Sequence, residues 1–97
     1  MDTPCSSDQI PEILLSFFGE NSWPFVMDKK FLGRVKEVHV FVVNAAKYAV
    51  IKLSDTKTLF KCTYDCWGVW NLEVLGSYNI YFFLTLESLF EFISGLT

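Results

Sequence analysis

Val35-Lys36-Glu37-Val38-His39-Val40-Phe41-Val42-Val43-Asn44-Ala45-Ala46-Lys47-Tyr48-Ala49-Val50-Ile51-Lys52-Leu53 is the stretch whose reading decides the fold. It is dense in β-branched and aromatic residues and holds neither Pro nor Gly, which favours a pleated, half-buried backbone. Asn44-Ala45-Ala46 interrupts it with small or polar residues. The spacing therefore predicts strands over Val35–Asn44 and Lys47–Leu53, and a third over Thr58–Tyr64 after Ser54-Asp55-Thr56-Lys57. Connectors this short suit antiparallel hairpins, because parallel strands need a crossover of a dozen residues or more.

The flanks read differently. Ile10, Ile13, Leu14, Phe17 and Phe18 recur at helical spacing, with Ser6 or Ser7 as the expected cap, Pro11 in the first turn and Gly19 at the stop. Asn21-Ser22-Trp23-Pro24 is expected to interrupt regular structure. Two further strands are expected over Trp67–Val74 and Asn79–Leu84, around Leu75-Gly76-Ser77. Thr85 is placed to cap a closing helix with Leu86, Leu89, Phe90 and Ile93 on one stripe and Gly95 at its end. The expectation is a single α+β domain over residues 1–97: N-terminal helix, four- to five-stranded antiparallel meander, C-terminal helix.

Pairing Asn44 with Lys47 and Leu53 with Thr58 sorts the central side chains by face. Val38, Val40, Val42, Ala49, Ile51, Leu53, Phe60, Cys62 and Tyr64 fall on one side, the expected core. His39, Phe41, Val43, Tyr48, Val50, Lys52, Leu59, Lys61 and Thr63 fall on the other. Two arrangements stay open at this point. One helix covers each face, or both helices cover one and leave an apolar patch as a contact surface.

The 97 residues, 52% of them hydrophobic and 18% aromatic, supply one core and argue against disorder. Formal charge is −3, which disfavours a simple electrostatic nucleic-acid binder. By segment it is −5 over residues 1–28, +6 over 29–61 and −4 over 62–97. The basic middle, beside the aromatics Tyr64, Trp67, Trp70, Tyr78 and Tyr81, keeps an RNA or single-stranded DNA binder as the alternative. Of these aromatics Trp67 and Trp70 are expected in the core, while Trp23 beside Pro24 is the one expected outside. Met1-Asp2-Thr3-Pro4 lacks a cationic leader, and the longest apolar run, Ile80 to Leu86, has seven residues where a span needs roughly 20. A cytoplasmic protein without membrane contact is expected, and the odd cysteine set Cys5, Cys62 and Cys66 suits free thiols.

Chemistry finds little to build on. Cys62 and Cys66 with His39 make a poor zinc set, since His39 and Cys62 fall on opposite faces. Cys66, His39 and Asp65 are the one nucleophilic set the composition permits, and adjacent Asp65 and Cys66 diverge on any strand they share. No phosphate-binding glycine loop, nucleophile elbow or zinc-protease motif is present in the sequence. The expectation is no enzyme, no cofactor and no metal, and a protein that acts by binding. Acidic groups that mimic a phosphate backbone would dock a cationic partner such as a nuclease. The candidates are Asp8, Glu12, Glu20, Glu73, Glu87 and Glu91, joined by Trp23, His39, Phe41, Tyr48, Lys52 and Lys61 from the loop and the second sheet face.

In size, acidity, strand-rich centre and the closing stretch Leu84-Thr85-Leu86-Glu87-Ser88-Leu89-Phe90-Glu91-Phe92-Ile93, the chain resembles bacterial toxin-immunity proteins, including those of contact-dependent growth inhibition systems. The resemblance is architectural, and no binding residue carries over from it. It implies a cognate protein toxin or nuclease as partner, neutralised by stoichiometric binding. Small phage-encoded inhibitors of host defence share the same features. Pairing with a second copy, as a homodimer, is the remaining expectation.

Overall fold

Period-two alternation carries the backbone through five strands, and the two amphipathic ends close over one side of them. In a computed structural model, which describes residues 9–57 and 59–96, α1 spans Ile10–Phe18, a 3₁₀ turn Glu20–Ser22, α2 Trp23–Val26 and α3 Lys29–Leu32. The strands are β1 Val35–Val43, β2 Ala46–Leu53, β3 Leu59–Tyr64, β4 Trp70–Leu75 and β5 Ile80–Phe83, and α4 is Leu86–Ser94. Sheet order is β1-β2-β3-β4-β5, antiparallel throughout. The α+β meander expected from the sequence is the fold, with the full five strands.

Its ends follow local chemistry. Gly19 takes φ 97°, a left-handed value that favours glycine, and its N–H donates to the Leu15 carbonyl at 2.8 Å. Thr85 caps α4 as expected, its hydroxyl accepting from the Ser88 N–H at 3.1 Å. Gln9 stands at the N-cap of α1 without a side-chain hydrogen bond, and the expected caps Ser6 and Ser7 lie outside the described residues. The segment Asn21–Pro24 departs from expectation. It forms the 3₁₀ turn and the start of α2, because Pro24 sits in a first turn, where its missing N–H costs nothing. Asp28 then caps α3, accepting from the Lys30 N–H at 2.8 Å.

The β2–β3 register is the expected one, with Ile51 opposite Phe60 and Ala49 opposite Cys62. Between β1 and β2 the two-residue turn falls one residue earlier than expected, on Asn44 and Ala45 rather than Ala45 and Ala46. Val43 pairs with Ala46 and Val42 with Lys47, a slip of two residues relative to Asn44 opposite Lys47. A slip of two leaves every side chain on its face, where a slip of one would have exchanged them. Val38, Ala49, Ile51, Phe60, Cys62 and Leu72 are fully buried on the inner face, against Leu14 of α1 and Leu89 and Ile93 of α4. Phe90 centres an aromatic cluster, with ring centroids 5.0 Å from Phe18, 5.0 Å from Phe31 and 5.5 Å from Phe25. Truncating such a ring costs about 3–5 kcal/mol. Both long helices thus lie on the inner face.

Candidate functional site

With both helices on one side, the other sheet face is open among the described residues, and the arrangement with one helix per face does not occur. Two rows of paired residues cross its centre. One runs His39, Val50, Lys61, Glu73, Ile80, and the next Phe41, Tyr48, Thr63, Asn71, Phe82. Below them Glu37 pairs with Lys52, beside Leu59 and Leu75. Phe41, Val43, Leu59, Leu75, Ile80 and Phe82 are all exposed, Phe82 to 64%. Six exposed apolar side chains on one face make it a candidate contact surface.

The side chains on this face form an ordered chain. The His39 and Phe41 rings lie 6.3 Å apart, and Phe41 stacks on Tyr48 at 5.2 Å and 23°. Lys61 Nζ stands 5.2 Å from the Tyr48 ring centroid and 3.5 Å from a Glu73 carboxylate oxygen. The cation is thereby held between a ring face and a carboxylate. Three rings followed by an ion pair thus run in contact from β1 to β4, which orders the aromatic surface.

Beside this row, Asp65 has a structural task. Its carboxylate accepts from Asn71 Nδ2 at 3.0 Å, the Val69 N–H at 3.0 Å and the Trp67 N–H at 2.9 Å. The Asn71 amide first, then the backbone N–H groups, hold its carboxyl below the usual carboxylate range. Asp65 is therefore committed to the β3–β4 turn. Cys66 is exposed on that turn, whereas Cys62 is buried among the core residues, and burial pushes its thiol far above the ordinary range. His39 is on the open face of β1, opposite in sense to Cys62. Asp65, Cys66 and His39 do not converge, nor do Cys62, Cys66 and His39.

The helical side is a different surface. Glu12 on α1, Glu20 on the 3₁₀ turn, and Glu87 and Glu91 on α4 are all exposed, and neither α1 nor α4 carries a base. A groove between α3 and α4 brings Asp28, Glu87 and Glu91 around Phe25, Phe31 and Phe90, with Lys30 at its edge. Glu12 shares a second groove with Phe17, Val40 and Lys47.

No protein-family model matches the chain, and no curated protein or solved structure matches it. The geometry alone therefore carries the reading.

The residues singled out from the sequence divide between the two surfaces. His39, Phe41, Tyr48, Lys52, Lys61 and Glu73 share the open face, and Glu12, Glu20, Glu87 and Glu91 the helical side. Trp23, at the start of α2, is 58% exposed as expected, and Asp8 lies outside the described residues. The basic middle block does not form a patch. Lys29 and Lys30 lie on α3, Arg34 pairs with Asp55, Lys57 is in a turn, and Lys52 and Lys61 face outward from the sheet. The aromatics also scatter. Trp70 packs on Phe18 at 5.2 Å and Tyr81 on Phe92 at 4.5 Å, both inward. Trp67, expected in the core, is 84% exposed because β4 begins only at Trp70 and leaves it on the turn.

Val40, Val42 and Tyr64, expected to be core by alternation, are exposed although they lie on the inner face. At that end of the sheet α1 runs beside Val40 but leaves all three partly uncovered. Ile80 and Phe82 were missed as members of the open face. Their alternation with inward Tyr81 and Phe83 was the available signal, with both pairs apolar and hence indistinguishable by polarity.

Proposed function

We propose that this chain is a stoichiometric protein-binding protein, an immunity protein or comparable small inhibitor that neutralises a toxin or nuclease by occluding its working surface. One observation carries the reading: α1 and α4 lie on the same side of the sheet and turn Glu12, Glu87 and Glu91 to solvent with no base on either helix. A site built to hold phosphates presents cations, and an array of outward carboxylates on rigid helices complements it, accelerates encounter and denies it to substrate. The aromatic floor of the α3–α4 groove, Phe25, Phe31 and Phe90, offers apolar contact between those charges. The chain acts by occupancy rather than turnover, in keeping with Asp65 being engaged in its turn and Cys62 in the core. No described helix is long and apolar enough to cross a membrane.

The test is co-expression with the toxin or nuclease encoded beside its gene. The wild-type chain protects the cell and gives one partner per chain by calorimetry. Glu12→Lys with Glu87→Lys and Glu91→Lys, all at exposed positions, slows association about tenfold or more and flattens its salt dependence. Full protection by the triple variant at an unchanged association rate would sink the proposal.

A further inference from the structure

We propose that the open sheet face is covered by a second copy of this chain, about a two-fold axis that crosses the strands between the two central rows. This surface is separate from the acidic helical side, so the inference stands apart from the inhibitor reading.

Charge selects the occupant. The face holds Glu37 and Glu73 against Lys52 and Lys61, balanced in sign, whereas α1 and α4 carry carboxylates alone. A strongly basic or acidic partner meets no complementary field on such a face, while a surface of the same near-neutral pattern meets no net repulsion. A two-fold axis makes one patch meet itself, residue i against j and j against i. With the axis between the rows, each residue of one row faces its strand neighbour from the other row of the second copy. Lys61 then meets Thr63 and Glu73 meets Asn71, while Glu37 and Lys52 of the outer row meet Val43 and Ala46, so no like charges oppose. His39 meets Phe41, Val50 meets Tyr48, and Ile80 meets Phe82, so each apolar or aromatic group finds another. The pairing follows directly from the register.

Size agrees. Sixteen outward positions, four each on β1 and β2, three each on β3 and β4 and two on β5, at spacings of about 4.8 Å and 6.8 Å, give a footprint of roughly 520 Å² in projection. Side-chain relief raises the accessible area above that, toward the roughly 800 Å² per partner of a stable interface. Two sheets stacked about 10 Å apart leave the helices of both copies outermost, with Glu12, Glu87 and Glu91 free on each.

Sedimentation or light scattering of the full chain at roughly 100 µM, above the micromolar constants of weak interfaces, is expected to give twice the 11.2 kDa chain mass. Phe41→Asp with Phe82→Asp is expected to give the single-chain mass with an unchanged circular dichroism spectrum. Amine labelling of the wild-type chain needs no variant: Lys61 is protected at high concentration and gains reactivity on dilution, while Lys57 does not change. A wild-type monomer at that concentration, a dimer that survives both substitutions, or concentration-independent labelling of Lys61 overturns the proposal. Loss of toxin neutralisation in the helix charge variants with the dimer intact leaves it standing.

Discussion

Replacing Ala45 by glycine is expected to stabilise the protein, and the reason bears on which sheet face is open. Asn44 and Ala45 form the two-residue connection between β1 and β2, at φ 51° and 66°. Two consecutive positive φ values belong to the turn whose twist matches antiparallel strands, and its preferred sequence is Asn-Gly. Asn44 is suited to its place. Ala45 is not, because a Cβ in the left-handed region crowds the following carbonyl and costs about 1–2 kcal/mol. Glycine removes that cost and returns about 0.5–1 kcal/mol of it through the greater freedom of the unfolded chain. Ala45 is exposed, so no packing is lost. The net gain is about 0.5–1 kcal/mol, which raises Tm by roughly 2–8 °C in a domain of this size. Urea unfolding of wild type and Ala45→Gly, compared at equal slope, measures it. Ala46→Gly, one residue on and inside β2, is the control and is expected to destabilise by about 0.5–1 kcal/mol. Should Ala45→Gly have no effect or lower the midpoint, the turn does not close at these residues. The β1–β2 register would then fall, and a slip of one residue, unlike a slip of two, would take Phe41 and His39 off the open side.

Arg34 ties the C-terminal end of α4 to the sheet: its guanidinium donates to the carbonyls of Ile93 at 3.1 Å, Ser94 at 3.3 Å and Leu96, and pairs with Asp55 at 2.8 Å. Arg34→Ala is expected to lose about 2–3 kcal/mol in urea unfolding, Arg34→Lys to recover less than half of that, and Asp55→Asn to cost under about 1 kcal/mol. The Asp65 carboxyl is held lower in the folded chain than its ordinary 3.8, so its stabilisation is present above that pH and is lost as pH falls through the lower folded value. Asp65→Asn therefore lowers Tm at neutral pH by a gap that narrows in acid; a gap constant with pH would contradict the hydrogen-bond assignment. In a Cys5→Ser background one thiol, exposed Cys66, is expected to react at once with a disulfide reagent, and buried Cys62 only at the rate of unfolding. Rapid labelling of both would place Cys62 outside the core.

The strands were legible because alternation in Val35–Leu53 is a strong local signal, and parity alone put His39, Phe41 and Tyr48 on the outer face. A register error of two residues did no harm for the same reason. Where the reading failed, the deciding physics was not local. Alternation placed Val40, Val42 and Tyr64 inside, but burial needs something to lie over them, and α1, which runs beside Val40, leaves all three partly uncovered. Asn21–Pro24 reads as a breaker because Pro and Asn punctuate structure, yet Pro in a first turn starts a helix as readily as it ends one. The segment charges of −5, +6 and −4 coincided with helix, sheet and helix in sequence, but three-dimensional placement set bases such as Lys30, Lys47 and Lys61 beside acids and left only α1 and α4 without a base. Trp67 shows the limit of composition, since an aromatic beside a strand is buried or exposed by where the strand begins.

The open face follows from an accounting of lengths. A nine-residue strand such as β1 spans about 30 Å, and the five strands together about 24 Å across. The nine-residue helices α1 and α4 are each about 14 Å long. Side by side they cover the centre of one face, and the single turns α2 and α3 complete its flank through Val26 and Phe31. Nothing remains among the described helices for the second face, whichever way they are arranged. Had the second face been made polar, as in most half-solvated antiparallel sheets, no covering would be needed. Here its exposed positions are instead filled by Phe41, Val43, Leu59, Leu75, Ile80 and Phe82, with the charges balanced in sign rather than repelling. With apolar residues on both sides of the sheet and helices over only one, the second face has no covering layer among the described residues. The proposed second copy would supply such a layer while leaving both acidic helical surfaces facing out.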